Sequence, residues 1–184
     1  ATDTGAVLWS FPWGHKGSSA GESNNSQPIV VGDNRLFVSK SYFIGATLKE
    51  IKQSPSGSWV VDKKWSKAST LRTKFTNVII HDGYVYGLSD GILECIDVAT
   101  GDRRWKKGRF HQGQILGVGS VILVINEKSG EVSMIEMSPD GYNKLGEFEA
   151  LDSDKVWNHL ALHGNYLLVR DSLTAACWEL PLAD

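Results

Sequence analysis

The 184-residue chain holds only two cysteines, Cys95 and Cys177. Two thiols supply neither a disulfide framework nor a C-x-x-C metal pair, and they identify no redox compartment. Charge of one sign is also missing: 19 basic side chains stand against 21 acidic ones. That balance gives no electrostatic reason to expect nucleic acid or an anionic membrane as partner. No apolar run approaches the ~20 residues that a spanning helix needs, and no segment carries a helical stripe capped at both ends. The opening ATDTGAVLWSF has no basic n-region and no long apolar core, so no signal peptide is expected in it. With no Met at its start, the chain reads as a processed product or an excised fragment. H-E-x-x-H is absent and the five histidines show no paired metal spacing, which removes the sequence case for a zinc site. The carboxylates are scattered, and none can be paired at glycosidase distance.

What is present is a repeat. VVGDNRLFVS, IIHDGYVYGLS, GVGSVILVI and LHGNYLLVR are each an apolar strand, a tight turn and a second apolar strand. Aligned on their last turn residue they fall at Asn34, Gly83, Ser120 and Asn165, spaced by 49, 37 and 45 residues. Periods of ~40–50 residues belong to propeller blades or helical arrays. Short runs rich in Val, Ile, Tyr and Phe between Gly-containing turns select strands. Each unit continues into two further strands, as in TNVIIHD, YVYGLS, ILECIDV and RRWKKGRF. Four-stranded meanders in series are blades of a β-propeller.

The expected fold is therefore all-β, with three full blades and two partial ones. A preceding blade ends over residues 1–13. Full blades cover 27–71, 76–110 and 113–151, and a three-stranded last blade covers 158–184. Residues 4–9 read as a third-to-fourth strand turn and a fourth strand without the three before it; the last blade lacks its fourth. Either the first strand closes the last blade, or the chain is the C-terminal part of a larger propeller. The second is preferred, since four blades lie at the low limit of the usual range. Open edges leave room for missing blades or self-association. The Gly/Ser/Asn-rich stretch 14–26 reads as a solvated connection between blades; it has no G-K-[ST] ending and no helix after it.

Asp97-Val-Ala-Thr100-Gly101-Asp-Arg-Arg-Trp105 resembles the Asp-x-x-Thr-Gly-x-x-x-Trp signature of the quinoprotein-like (PQQ-like) β-propeller repeats, with weaker relatives at 4–9 and 129–134. WD-type Trp-Asp and kelch-type Gly-Gly pairs do not occur. The resemblance implies that Thr100-Gly101 makes the turn between third and fourth strands and that the Trp packs between blades. The physics agrees: Gly supplies positive φ, Asp97 can accept from the turn's backbone, and a large ring fills the wedge between twisted sheets. Aromatics recur at the matching place on each fourth strand: Trp9, Trp65, Trp105 and Phe148. The motif is structural. Cys95 and Cys177 each lie 12 residues past the aligned turn position, on third strands two blades apart. Both are expected to be buried free thiols.

His81 and His163 sit beside first-to-second strand turns and read as exposed polar residues. The connections that lead into each first strand carry a different set. Asn25, Arg72, Lys74, Asn77, His111, Gln112, Trp157, Asn158 and His159 form a candidate binding ring on one propeller face; the plain alternative is that they cap strand ends. Family members include dehydrogenases that hold pyrroloquinoline quinone and calcium on the axis, commonly with an adjacent Cys-Cys pair that this chain lacks. No cofactor is expected, with PQQ and calcium as the alternative. The expected function is a non-catalytic interaction scaffold, with a protein or an extracellular polymer as partner. A quinoprotein alcohol dehydrogenase and a carbohydrate-binding propeller are the other readings. The resemblance implies a periplasmic, cell-envelope or secreted bacterial protein.

Overall fold

The computed structural model of the protein describes residues 1–14 and 23–181, so His15 and the middle of the 14–26 connection lie outside the described residues. Fifteen strands and no helix occur among the described residues. They form four separate antiparallel sheets, each in plain sequence order. Blade 1 comprises β1 (Ile29–Val31), β2 (Arg35–Lys40), β3 (Gly45–Gln53) and β4 (Trp59–Lys67). Blade 2 comprises β5 (Val78–His81), β6 (Tyr84–Ser89), β7 (Ile92–Asp97) and β8 (Arg103–Arg109). Blade 3 comprises β9 (Gln114–Val118), β10 (Val121–Ile125), β11 (Glu131–Glu136) and β12 (Lys144–Glu149). Blade 4 has three strands, β13 (Ala161–His163), β14 (Tyr166–Arg170) and β15 (Ala175–Glu179).

The turn positions on which the repeats align share one hydrogen bond. The carbonyls of Asn34, Gly83, Ser120 and Asn165 accept from the N–H groups of Ile51, Val98, Met137 and Leu180, at 2.7–3.0 Å. Each blade thus ties its first hairpin to its third strand in the same way, which is why the local pattern repeats although few side chains do.

The core is three wedges between blades. Phe37, Leu48 and Trp65 of blade 1 meet Val78, Val85 and Ile96 of blade 2. Tyr86, Leu88, Leu93 and Cys95 then meet Ile115, Ile122 and Ile135 of blade 3. Leu123, Ile125 and Val132 pack against Val156, Leu167 and Val169. Alternation along each strand is what allows it to serve two wedges, and each fully buried aliphatic or aromatic side chain contributes about 1.5–3 kcal/mol by leaving water.

The Thr-Gly corner of blade 2 is built as its motif requires. Asp97 Oδ1 accepts from the Thr100 N–H at 2.9 Å and the Thr100 hydroxyl at 3.2 Å, and the Gly101 N–H donates to the Asp97 carbonyl at 2.8 Å. Gly101 has φ +71, and a Cβ there would stand 2.7 Å from the Trp65 ring. The corner needs glycine twice: for its own φ, and because the preceding blade's tryptophan lies on it. Trp65 Nε1 donates to the Val98 carbonyl, and Trp105 Nε1 to the Ser138 carbonyl one blade later. Phe148 meets Trp178 edge-on at 5.3 Å between ring centroids.

Residues 4–9 form the corner and pair with no strand among the described residues. One expectation is corrected: Cys177 is exposed, whereas Cys95 is buried. Their places on the two blades are equivalent, but blade 3 covers Cys95 and none of the described residues covers Cys177. Burial pushes the Cys95 thiol up to about 11, so it stays protonated and inert at neutral pH.

Candidate binding face

In a meander, the turn between second and third strands and the connection into the next blade leave the sheet at the same end. That end carries every residue of the ring expected from sequence. The structure divides the ring into anchors and exposed groups. Arg72 is an anchor: its guanidinium pairs with Asp90 at 2.7 Å, and Asp90 also accepts from the Ser41 hydroxyl of blade 1 at 2.7 Å. Asn77 Oδ1 accepts the Gln27 N–H at 2.8 Å, joining the connections into blades 1 and 2, and the neighbouring Ser26 hydroxyl donates to the Thr76 carbonyl. Asn25 is exposed just before this junction. Gln112 donates its N–H to Glu127 Oε2 at 2.9 Å.

Glu127 is the hub of the blade 3 end. Its other oxygen accepts from Trp157 Nε1 at 2.8 Å. Its backbone N–H donates to the Phe110 carbonyl and its carbonyl accepts from Val156. Burial alone pushes the Glu127 carboxyl up, but the Gln112 and Trp157 N–H donors outweigh it and hold it below its ordinary value. Asp171 does the same work in blade 4. Bonds from Ser153, then from the Thr174 and Leu173 N–H groups, hold its carboxyl far below the usual carboxylate range. Asp90, Glu127 and Asp171 recur at the second turn of successive blades, a pattern that sequence reading passed over because it looked for clustered carboxylates. Gly91 belongs to the same turn series: it has φ +81, and a Cβ would stand 2.5 Å from the His111 carbonyl.

Lys74, His111, Trp157, Asn158 and His159 remain at least partly exposed. His111 holds φ +55 in the turn before β9. Trp157 is 57% exposed and Phe75, absent from the expected ring, is 40% exposed. The two rings line one apolar hollow of about 260 Å³. Buried Gln114, at the start of β9, holds it together: its Nε2 donates to the Phe75 carbonyl at 3.1 Å and to the Trp157 carbonyl at 3.2 Å. Its Oε1 is buried without a partner. Lys74 lies over the Phe75 ring and Lys155 over the Trp157 ring, at 5.7 and 4.1 Å from the centroids. The arrangement can receive an apolar or planar group between two cation-backed rings.

PQQ with calcium, the group carried by the family resemblance, needs several converging oxygen ligands. No three His, Cys, Asp or Glu side chains converge among the described residues. Both oxygens of Asp90 and of Glu127 and Oδ1 of Asp171 are engaged by internal donors. No helix among the described residues is long and apolar enough to cross a membrane.

No family model and no curated protein matches the chain. Solved structures do. A computationally designed protein, Ika8, matches with TM-score 0.59 and 10% identity over 85% of this chain and 45% of its own. BamB from Moraxella catarrhalis matches with TM-score 0.58 and 16% identity, over 84% and 42%. A europium-containing methanol dehydrogenase matches with TM-score 0.52 and 18% identity, over 77% and 26%. The chain spans less than half the length of each. Four successive meander blades, the Thr-Gly corner and wedge tryptophans bonded to the following blade, together with these likenesses, give the chain the fold of the quinoprotein-like (PQQ-like repeat) β-propellers.

Proposed function

We propose that the protein is a non-catalytic interaction scaffold of the cell envelope, binding a protein segment on the face that carries the blade-to-blade connections. The observation that carries the reading is the Phe75–Trp157 hollow. It is apolar, lies on connections pinned by Glu127 and Gln114, and sits among lysines. Exposed aromatics set in a fixed frame are what protein-recognition anchors are made of. The likeness to BamB supports a scaffold, and the envelope location follows the family resemblance. Peptides selected from a displayed random library on the immobilised protein supply the probe. Phe75→Ala, which leaves the Trp157–Glu127 bond in place, is expected to abolish their binding while leaving the unfolding midpoint nearly unchanged; equal binding by wild type and variant contradicts the proposal. Lys74 and His159 are the secondary positions to substitute, since Arg72 is committed to Asp90.

The likeness to methanol dehydrogenase keeps a second reading, oxidation of an alcohol with PQQ. Added PQQ and calcium would then quench tryptophan fluorescence and support dye reduction. Turnover under those conditions overturns the scaffold reading, and retention on polysaccharide gels without peptide binding would replace it with carbohydrate recognition.

A further inference from the structure

Lysines and rings alternate across the face that carries the Phe75–Trp157 hollow. Lys74 lies between two rings, 5.6 Å from the Tyr42 centroid and 5.7 Å from that of Phe75. Tyr42 belongs to the second turn of blade 1, and that turn is tied to the connection that carries Lys74. The Ser41 N–H donates to the Thr73 carbonyl at 2.6 Å, and the Ser41 hydroxyl donates to Asp90 at 2.7 Å. Tyr42 and Phe43 hold φ 58 and 64, a left-handed conformation that bulky residues avoid and that concentrates at binding sites. Phe43 is nevertheless 77% exposed, so the strained turn presents a ring to solvent and not to a core.

Trp157 borders two hollows of different character. One is the apolar hollow it shares with Phe75. The other, about 250 Å³, is lined by Lys155, Asn158 and Ser172 as well. The side-chain ends of Lys74, Lys155, Asn158 and Ser172 make no hydrogen bond or ion pair among the described residues. Asp152 and Asp154 are exposed on the connection that carries Lys155, yet neither pairs with either lysine. Two lysines without carboxylate partners thus flank one apolar hollow, and the polar hollow beside it is rich in donors.

We propose that the protein segment received here is acidic. A large apolar or aromatic side chain enters the Phe75–Trp157 hollow, a carboxylate on one side of it meets Lys74, and a carboxylate on the other side meets Lys155, Asn158 and Ser172. The inference rests on the docking reading of this face and adds the partner's charge, which complementarity sets. The contacts run from Tyr42 of blade 1 to Lys155 before blade 4, a strip suited to an extended segment. A sugar is disfavoured because the apolar hollow is lined by two rings and offers its hydroxyls no polar partner. A phosphodiester track needs a longer row of cations and would be repelled by Asp152 and Asp154.

The test is selection from a displayed random peptide library on the wild-type protein and on a variant carrying Lys74→Glu with Lys155→Glu. The wild-type pool is expected to carry Asp or Glu on both sides of a large apolar residue, and the charge-reversed pool Lys or Arg in their place. Replacing the acidic residues of a selected peptide by their amides is expected to weaken its binding about tenfold, as loss of two exposed ion pairs implies. Added salt should weaken the acidic peptide and spare its neutral copy. Lys74→Gln with Lys155→Gln, which adds no new charge, is expected to erase the difference between the two peptides at an unchanged unfolding midpoint. A neutral or basic wild-type pool, or the same pool from both proteins, overturns the proposal; the docking reading then stands only if binding is lost in Phe75→Ala. Labelled oligothymidylate or a polyuronate that displaces the selected peptide and is itself released by Phe75→Ala overturns it in favour of a nucleic acid or a polysaccharide.

Discussion

Blades 2 and 4 carry the same outward face with opposite fates. Aligned on Gly83 and Asn165, Tyr86 corresponds to Leu168 and Cys95 to Cys177. Tyr86 is 1% exposed and Leu168 is 48% exposed. The strands have the same alternation and the same closing hydrogen bond from beyond the third strand. The difference is the neighbour: Ile115, Ile122 and Ile135 cover one face and none of the described residues covers the other. In this architecture a side chain's burial belongs to the pair of blades, and a single blade's sequence states only which face it offers.

The largest test of that contrast is deletion of the two matched side chains. Tyr86→Ala is expected to cost about 3–5 kcal/mol in denaturant unfolding, as other core aromatics do. Leu168→Ala, measured in dilute protein, is expected to stay within about 0.5 kcal/mol of wild type. Equal costs would break the comparison.

The matched corners sharpen it next. Gly5 and Gly101 share their φ, but a Cβ at Gly5 meets nothing within 4 Å, whereas one at Gly101 meets the Trp65 ring. Gly5→Ala should lose only the left-handed penalty, about 1–2 kcal/mol. Gly101→Ala should lose about 1–3 kcal/mol more through displacement of Trp65, and the blue shift of buried tryptophan emission should diminish with it.

The thiols give a smaller effect. One of the two should react in the native protein and both after denaturation. Cys95→Ser should cost about 1–3 kcal/mol, by placing a hydroxyl in an apolar wedge, while Cys177→Ser should be nearly neutral in unfolding experiments on dilute protein.

The smallest effect is on the acid side. Glu127 and Asp171 have carboxyls held below their unfolded values. Their stabilisation is complete above the ordinary carboxylate range, at about pH 4, and is lost as pH falls through the folded values. Asp171→Asn should flatten the acid limb of the stability profile; an unchanged limb would show that the turn carboxylate does not link to folding.

Much of this was legible in the chain. Asn34, Gly83, Ser120 and Asn165 mark the repeat because each carbonyl closes its blade, and Asp97-Thr100-Gly101-Trp105 marks the corner because the φ and the ring allow few substitutes. The face was legible only as a position. Arg72 and Trp157 were placed on it by strand order, but sequence could not separate an arginine paired with Asp90 from an exposed indole. Phe75 and Gln114 were missed because their partners lie about 40 residues away, on connections with no regular period. Cys177 was misplaced because equivalence of strand position was read as equivalence of burial.

Amide hydrogen exchange on monomeric protein, resolved strand by strand, tests the central claim that each blade is held by the next. It predicts slow exchange in β6 and β7, which lie between two wedges, and exchange in β15 many times faster, at an edge with one. Protection of β15 equal to that of β7 in the monomer would contradict it.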